Sequence, residues 1–241
     1  MSYNPAVIPT VASIAALRAM PSSVGAQSPT IWLESYYGDG PDGGEGIFFY
    51  VSDSVADDDG GVIITPVDSP ATGRWIRDYA GKPISAGWYG LRGGARRLTA
   101  SSGCSITAGT NTLHSSAYTF TSADVGKIGG ILGPGAAGVL VQFKIESAAA
   151  GDATITNLDG SAFSASSTVI AGTSPNSTSG NTVFGFDGAS AIQAAIDFSL
   201  YGSGNPLLAS GTSVYIPPVV YATSVPIQIG YGYSVHSNTV Y

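Results

Sequence analysis

The apolar residues between Thr30 and Tyr79 come in short runs, and each run is closed by a cluster of glycine and aspartate. Ile31-Trp32-Leu33 is followed by Gly38-Asp39-Gly40-Pro41-Asp42-Gly43-Gly44. Gly46-Ile47-Phe48-Phe49-Tyr50-Val51 is followed by Asp57-Asp58-Asp59-Gly60-Gly61. Val62-Ile63-Ile64-Thr65 and Gly73-Arg74-Trp75-Ile76-Arg77 complete the stretch. Such clusters tolerate positive φ and form tight turns, so the pattern predicts hairpin-linked strands rather than helices. Composition agrees: the 241 residues include 33 Gly and 14 Pro and are 44% hydrophobic but only 10% charged, against about 25% charged in an ordinary soluble domain. Disorder requires low hydrophobicity with high charge, and this chain has neither.

The same alternation extends further along the chain. Val139, Val141, Phe143 and Ile145 interleave with Leu140, Gln142 and Lys144, a period of two that predicts a strand with one buried face, and residues from about Leu98 to Gly185 read as a second β-rich stretch. Gly133-Pro134-Gly135 reads as a turn and Thr121 to Gly126 as a single helical turn. Two helices are expected. One runs from Thr10 to Met20, capped by Thr10 or Ser13 and stopped by Pro21; the other is capped by Asp187 and runs to about Leu200, with Ile192, Ile196 and Leu200 on one face. The first is too short to be stable alone in water and should dock on its own domain, on sister chains or on a partner. Strands are expected again at Ser213 to Ile216, stopped by Pro217-Pro218, and at Val225 to Ile229.

Charge excludes some functions. The net charge is −7 and none of the nine basic residues lies beyond Lys144, so there is neither a polycationic footprint for nucleic acid nor a basic helix for a lipid surface. No signal peptide is read at the N-terminus and no apolar run is long enough to span a membrane. The single Cys104 permits no intrachain disulfide and reads as a small strand residue rather than a nucleophile. Gly38, Gly40 and Gly43 have dinucleotide-loop spacing, but a strand rather than a helix follows, and they read as a hairpin turn. The eight acidic residues between Glu34 and Asp59 invite a Ca²⁺ site, yet Val55 and Pro66 stand where an EF-hand loop needs ligands, so solvated turn aspartates are the expectation. Arg92, Arg96 and Arg97 form the one basic cluster, suited to an anion or acidic glycan, or to pairing with acidic turns. His114 and His236 have no catalytic spacing, and Asp187 and Asp197 read as a cap and an exposed residue rather than a glycosidase pair. No catalytic residue, cofactor or metal ligand is assigned. The aromatic residues Trp32, Tyr36, Tyr37, Phe48, Phe49, Tyr50, Trp75, Trp88 and Tyr89 could stack on sugars, but in small β-domains they more often form core or subunit interface.

Three stretches in this order resemble bacteriophage tailspikes and tail fibres of the pectate-lyase-like right-handed β-helix superfamily. Ser13-Ile14-Ala15-Ala16-Leu17-Arg18 through Arg77 resembles the head module, with Tyr36-Tyr37, Phe48-Phe49-Tyr50 and Gly73-Arg74-Trp75. Ile84-Ser85-Ala86-Gly87-Trp88-Tyr89-Gly90 is similar to the segment entering the β-helix. Ala191 to Asp197 with Val214-Tyr215-Ile216-Pro217-Pro218 is similar to its capping helix and first strand. Two features depart from the pattern: Gly90-Leu91-Arg92-Gly93-Gly94 lacks the usual aspartate, and Val219 follows Pro218 where glycine is usual. The resemblance implies a mainly β chain in four parts. These are an N-terminal arm with a short helix (1–27), a β head module with its entry segment (28–93), an inserted β-domain (94–186), and a capping helix with the first coil of a β-helix (187–241). It further implies a homotrimeric virion protein, made in the host cytoplasm. The N-terminal region would attach to the tail or baseplate, and the distal region would bind bacterial surface polysaccharide for host cell attachment. No nucleic acid or membrane partner is implied. The rival implication is a polysaccharide depolymerase, hydrolase or lyase, with its active site in β-helix coils beyond this segment; a secreted pectate lyase or adhesin fits less well. A β-helix needs about three coils to bury its interior. Ser213 to Tyr241 supply little more than one, so the expectation is a longer protein or stacking in an assembly.

Overall fold

A computed structural model describes residues 8–69, 71–79, 82–98, 104–132, 140–164, 169–170, 182–201, 213–217, 222–225, 227–228 and 234–235. The fold is mainly β, and the chain divides into two compact units. One is built chiefly on residues up to Leu91 with Ser190–Pro217, the other on Arg92–Ala189.

In the first unit, β1 (Thr10–Val11), β2 (Thr30–Leu33), β3 (Gly46–Val51), β4 (Ile63–Ile64) and β5 (Arg74–Arg77) form one sheet in the order β1-β2-β3-β5-β4. All neighbours are antiparallel except β1, which runs parallel to β2 with Thr10 opposite Trp32. The expected helix from Thr10 is therefore shorter. Thr10 and Val11 are β-branched and pair with β2, and α1 (Ile14–Ala19) begins only after Ser13, whose Oγ accepts the Ala16 N–H at 3.1 Å. The helix docks on its own sheet: Ile14 and Leu17 bury against Ile31, Leu33, Phe48, Ile64 and Trp75. After Pro21 a second short helix, α2 (Ser22–Gln27), was not expected; its first N–H is capped from outside by Asp68, 3.0 Å from Ser22 N.

The entry segment follows as β6 (Ile84–Ser85) and a 3₁₀ turn over Ala86–Tyr89, all buried. Gly90 ends the turn at φ +83, and a Cβ there would come within 2.6 Å of the Tyr36 ring and 2.7 Å of the Tyr37 hydroxyl. Glycine is required at this position both by conformation and by space.

The second unit holds one open antiparallel sheet of eight strands. These are β7 (Arg96–Leu98), β8 (Cys104–Ile106), β9 (Thr112–Ser115), β10 (Ile128–Leu132), β11 (Leu140–Ala149), β12 (Asp152–Thr156), β13 (Val169–Ile170) and β14 (Thr182–Gly185), in the order β13-β8-β9-β12-β11-β10-β14-β7. On β11 the expected alternation is present: Phe143 and Ile145 are buried, Gln142 and Lys144 exposed. Ile106, Leu113, Phe120, Ile131, Ala153, Ile155 and Phe184 complete the core. A two-residue turn, Ala150-Gly151, joins β11 to β12 with both residues at positive φ (54° and 92°), the geometry that matches the twist of paired strands. The sequence turn at Gly133-Pro134-Gly135 lies outside the described residues.

Helix α3 (Ala189–Tyr201) has Ala191, Ile192, Ala195, Ile196 and Phe198 buried. Asp187 precedes it as expected of a cap, accepting the Ala189 N–H at 3.0 Å and the Ser224 N–H at 3.1 Å. The expected apolar face stops one turn early, since Leu200 is 45% exposed. Strand β15 (Val214–Tyr215) pairs in parallel with β6, Val214 opposite Ile84, and β16 (Ile227–Gln228) pairs with β17 (Ser234–Val235). No stack of β-helix coils is seen among the described residues, and most of the expected first coil lies outside them. Among the described residues no helix is long and apolar enough to cross a membrane.

Candidate interaction face and the turns that support it

Successive strand residues point to opposite faces. In the first sheet this alternation sends Ile31, Leu33, Phe48, Tyr50 and Trp75 toward α1 and leaves Trp32, Ile47, Phe49 and Ile76 on the other side. The register lines the second set up across three strands: Trp32 faces Ile47, and Phe49 faces Ile76. Ile47 and Ile76 are half-buried, while Trp32 is 40% and Phe49 44% exposed. At the β4 end the loop after β3 is tied down, because Arg74 Nε donates to the Ala56 carbonyl at 2.6 Å and Gly73 N–H to the Ser54 carbonyl at 2.8 Å. At the β2–β3 end the aromatic side chains remain accessible. At ~25 cal/mol per Å², covering either ring would contribute about 2 kcal/mol, so the exposed part of this face is apolar and would gain from being covered.

The turns around the sheet are held by carboxylates that accept backbone N–H groups. Asp42 accepts from Tyr36 (2.8 Å), Tyr37 (3.0 Å) and Gly44 (2.9 Å), and Glu45 Oε1 accepts from Asp42 at 2.9 Å. Asp59 Oδ1 accepts from Gly61 (2.9 Å), Val62 (2.8 Å) and Ile63 (2.9 Å). Asp58 accepts from Gly60 (2.9 Å) and Thr65 (2.7 Å), and its two oxygens receive the Arg18 guanidinium in a bidentate pair. These aspartates are thus committed to the backbone rather than merely solvated. Among the described residues no group of three or more potential ligands is placed to hold a metal ion.

Beneath these turns lies a residue that the sequence reading did not single out. Arg77 is 2% exposed. Its Nε donates to the Gly61 carbonyl (3.0 Å), Nη1 to Glu45 (2.9 Å) and Nη2 to Gly44 (3.0 Å), so one guanidinium joins the two Gly/Asp loops. The rings of Phe48 and Trp88 lie 4.5 Å and 5.1 Å from its carbon. Burial lowers its proton affinity below the usual arginine value, while Tyr89, Asp59 and Glu45 act in the opposite sense. Burial also raises Asp59, in spite of its three N–H donors, and raises Tyr89, whose hydroxyl lies 3.4 Å from Asp59 Oδ2. Asp58 is different: burial opposes its ionisation, but Arg18 and the Thr65 and Gly60 N–H groups hold it below the ordinary carboxyl value. This arrangement fixes loop shape and offers no exposed acid–base pair.

The remaining sequence candidates are scattered. Gly38, Gly40 and Gly43 all take positive φ in the β2–β3 loop, and a strand follows them. Of the nine aromatic residues, Phe48, Trp75, Trp88 and Tyr89 are buried, Tyr36 and Tyr50 half-buried, and Trp32, Tyr37 and Phe49 exposed. Tyr37 donates its hydroxyl to the Gly90 carbonyl at 2.7 Å. Cys104 is buried in the second core, which pushes its thiol up to about 11. His114, which has no catalytic spacing in the sequence, pairs across strands: its Nδ1 lies 2.7 Å from Asp152 Oδ1 on the neighbouring strand, in an exposed pair. His236 lies outside the described residues. Asp187 is engaged at the start of α3, and Asp197 accepts from Gln193 Nε2 at 2.8 Å along the same helix. Arg96 and Arg97 are exposed on the edge strand β7, and Arg92 precedes it.

Residues 10–80 match the family described as the phage tail protein small four-stranded beta-sheet domain. No curated protein sequence matches the chain. The match spans the whole first sheet, in which β2, β3, β5 and β4 are four antiparallel strands with the two-residue β1 added at one edge. The domain matched over residues 10–80 supports a phage tail protein, a structural component of the virion.

Proposed function

We propose that the chain is the virion-proximal part of a homotrimeric tailspike or tail fibre. In this reading residues 1 to about 79 attach it to the tail or baseplate, and α3 with β15 begins a right-handed parallel β-helix that is presented to bacterial surface polysaccharide. The observation that carries the reading is the coincidence of the tail-domain match with a sheet whose Trp32–Phe49 face is open. Exposed aromatic side chains on a rigid sheet are suited to a stable contact inside a particle, because they lose little side-chain entropy when covered.

The test is a phage carrying Trp32→Glu with Phe49→Glu. Both positions are solvent-facing, so the purified variant should keep its strand signal by circular dichroism, while its copy number in purified particles, measured by mass spectrometry, should fall to near zero. Wild-type incorporation would refute attachment through this face. Mass photometry of the purified chain should show a trimer, and a stable monomer at micromolar concentration would refute the trimeric reading.

A further inference from the structure

The core of the second unit sorts the residues of β8, β9 and β12 by face. Cys104 and Ile106, Leu113 and Ser115, and Ala153 and Ile155 are buried. Strand alternation therefore sends Ser105, His114 and Asp152, which stand between or beside them, to the outer face. The register sets these three in one row. Ser105 is directly opposite His114. Ala153 is opposite Leu113, which puts Asp152 opposite His114 on its other side. His114 Nδ1 lies 2.7 Å from Asp152 Oδ1. A hydroxyl, an imidazole and a carboxylate thus follow one another across three adjacent strands, although they are far apart in the sequence.

Their order is the one that nucleophilic catalysis needs. Directly opposite residues of an antiparallel pair have Cβ atoms ~5 Å apart, so the Ser105 hydroxyl and the imidazole are neighbours. The carboxylate takes the Nδ1 end of the ring. In the neutral imidazole this holds the proton on Nδ1 and leaves the Nε2 lone pair to accept a proton from a hydroxyl. Asp152 acts through the ring and is a positioning residue. The location narrows the substrate. The His114 side chain is 60% exposed and that of Asp152 41%, on an outer strand face. Such a site suits a small ester carried on the outside of a larger molecule, rather than a long acyl chain that must be enclosed.

We propose that Ser105, His114 and Asp152 form a serine esterase site for short-chain carboxylic esters, located on the second unit itself. Ser105 Oγ attacks the ester carbonyl, and His114 Nε2 takes its proton. The bond to the alcohol oxygen breaks, that oxygen takes the proton from Nε2, and the acyl group stays on Ser105. Water then attacks the acyl-serine and gives one proton to Nε2. The carboxylic acid leaves as Ser105 Oγ takes that proton back. The net reaction is ester plus water to alcohol plus acid.

The experiment treats the full chain with a fluorophosphonate probe and, separately, with 4-nitrophenyl acetate. The probe should lose fluoride to Ser105 Oγ and leave its phosphonyl group there, located by peptide mass spectrometry. Hydrolysis of 4-nitrophenyl acetate should fall about 10²-fold or more in Ser105→Ala and in His114→Gln. Asp152→Asn should lower kcat with KM unchanged, and Asp152→Glu should recover part of the loss. Ser147→Ala, which removes an exposed serine of β11, should change neither readout. The substituted side chains lie outside the core, and circular dichroism checks that each variant keeps its strands. No adduct at Ser105, undiminished labelling in His114→Gln, or hydrolysis by Ser105→Ala at the wild-type rate would each overturn the site. None of these readouts depends on particle incorporation, so the tail attachment stands or falls separately.

Discussion

Removing the buried guanidinium of Arg77 is the most direct perturbation of the first unit. Arg77→Ala strips the donors from three carbonyls, those of Gly44, Glu45 and Gly61. Each orphaned acceptor costs about 1 kcal/mol where water can follow and up to ~3 kcal/mol where it cannot. The lost contacts with Phe48 and Trp88 add ~1 kcal/mol each, and the cavity adds more. Against this stands the several kcal/mol recovered by no longer keeping a charge out of water. The balance is a destabilisation of about 3–5 kcal/mol, a large share of the ~5–15 kcal/mol that holds an ordinary domain folded. Arg77→Met keeps most of the volume and the ring contacts but still orphans the carbonyls, so it should lie between alanine and wild type, at about 2–3 kcal/mol. Urea denaturation followed by tryptophan fluorescence measures this cleanly, because all three tryptophans, Trp32, Trp75 and Trp88, lie in the first unit. The far-UV signal reports both units. If Arg77→Met unfolds with wild type, the guanidinium is only filling space and the account of the two bridged loops is wrong. If Arg77→Ala stays within ~1 kcal/mol, the burial argument fails altogether.

Three further outcomes follow from the same geometry. Asp58 and Asp124 are held below the ordinary carboxyl value, so the stability they contribute is complete above the unfolded value near 4 and lost as pH falls through their lower folded values; an acid titration should therefore show loss of structure below about pH 4, and Asp58→Asn should flatten the fluorescence-detected part of that slope. Cys104, pushed up to about 11 in its buried site, should react with an aromatic disulfide reagent at pH 8 only after denaturant is added, and rapid labelling of the native chain would contradict its packing. Ala150 sits at φ 54° in the β11–β12 turn, so Ala150→Gly should stabilise the chain by about 0.5–1 kcal/mol in thermal or urea unfolding, with no gain if that turn is not left-handed.

How far these features were legible in the sequence depended on which physical signal carried them. β2, β3 and β5 could be read because each is an apolar run closed by Gly/Asp, and β11 because its period of two survives over several residues. Thr10–Met20 is helical only from Ile14 to Ala19. Spacing suggested a continuous element, but the β-branched Thr10-Val11 pair joins a sheet edge whose existence depends on residues twenty positions away. The role of the aspartates was half visible. Asp42, Asp58 and Asp59 each stand two residues before a glycine whose N–H they accept, the spacing of an Asx turn, whereas the second donors from Tyr36, Thr65 and Ile63 are set by the tertiary fold. The burial of Arg77 does have a signal in the sequence. In Arg74-Trp75-Ile76-Arg77 the strand period places Arg77 on the same face as Trp75, and Trp75 is a core residue. In the sequence the basic residues Arg92, Arg96 and Arg97 stand together. The fold gives them different neighbours: Arg96 lies over Tyr118 and Arg92 over Phe186, a ring that Lys127 also approaches from thirty residues further on.

The sparse charge of the chain acquires a structural meaning from these placements. Four of the eight acidic residues between Glu34 and Asp59, namely Asp42, Glu45, Asp58 and Asp59, accept backbone N–H groups of their own turns. Their negative charge shapes loops instead of standing free to bind a cation. Across the other side of the same sheet the exposed side chains are Trp32 and Phe49, with Ile47 opposite the first and Ile76 opposite the second, so no charged group on those four positions would have to be desolvated when the face is covered. A contact made there draws on apolar burial with little electrostatic opposition and should change little with salt. Incorporation of the chain into particles should therefore persist as ionic strength rises, and detachment in high salt would show that a charged surface rather than the Trp32–Phe49 face makes the contact.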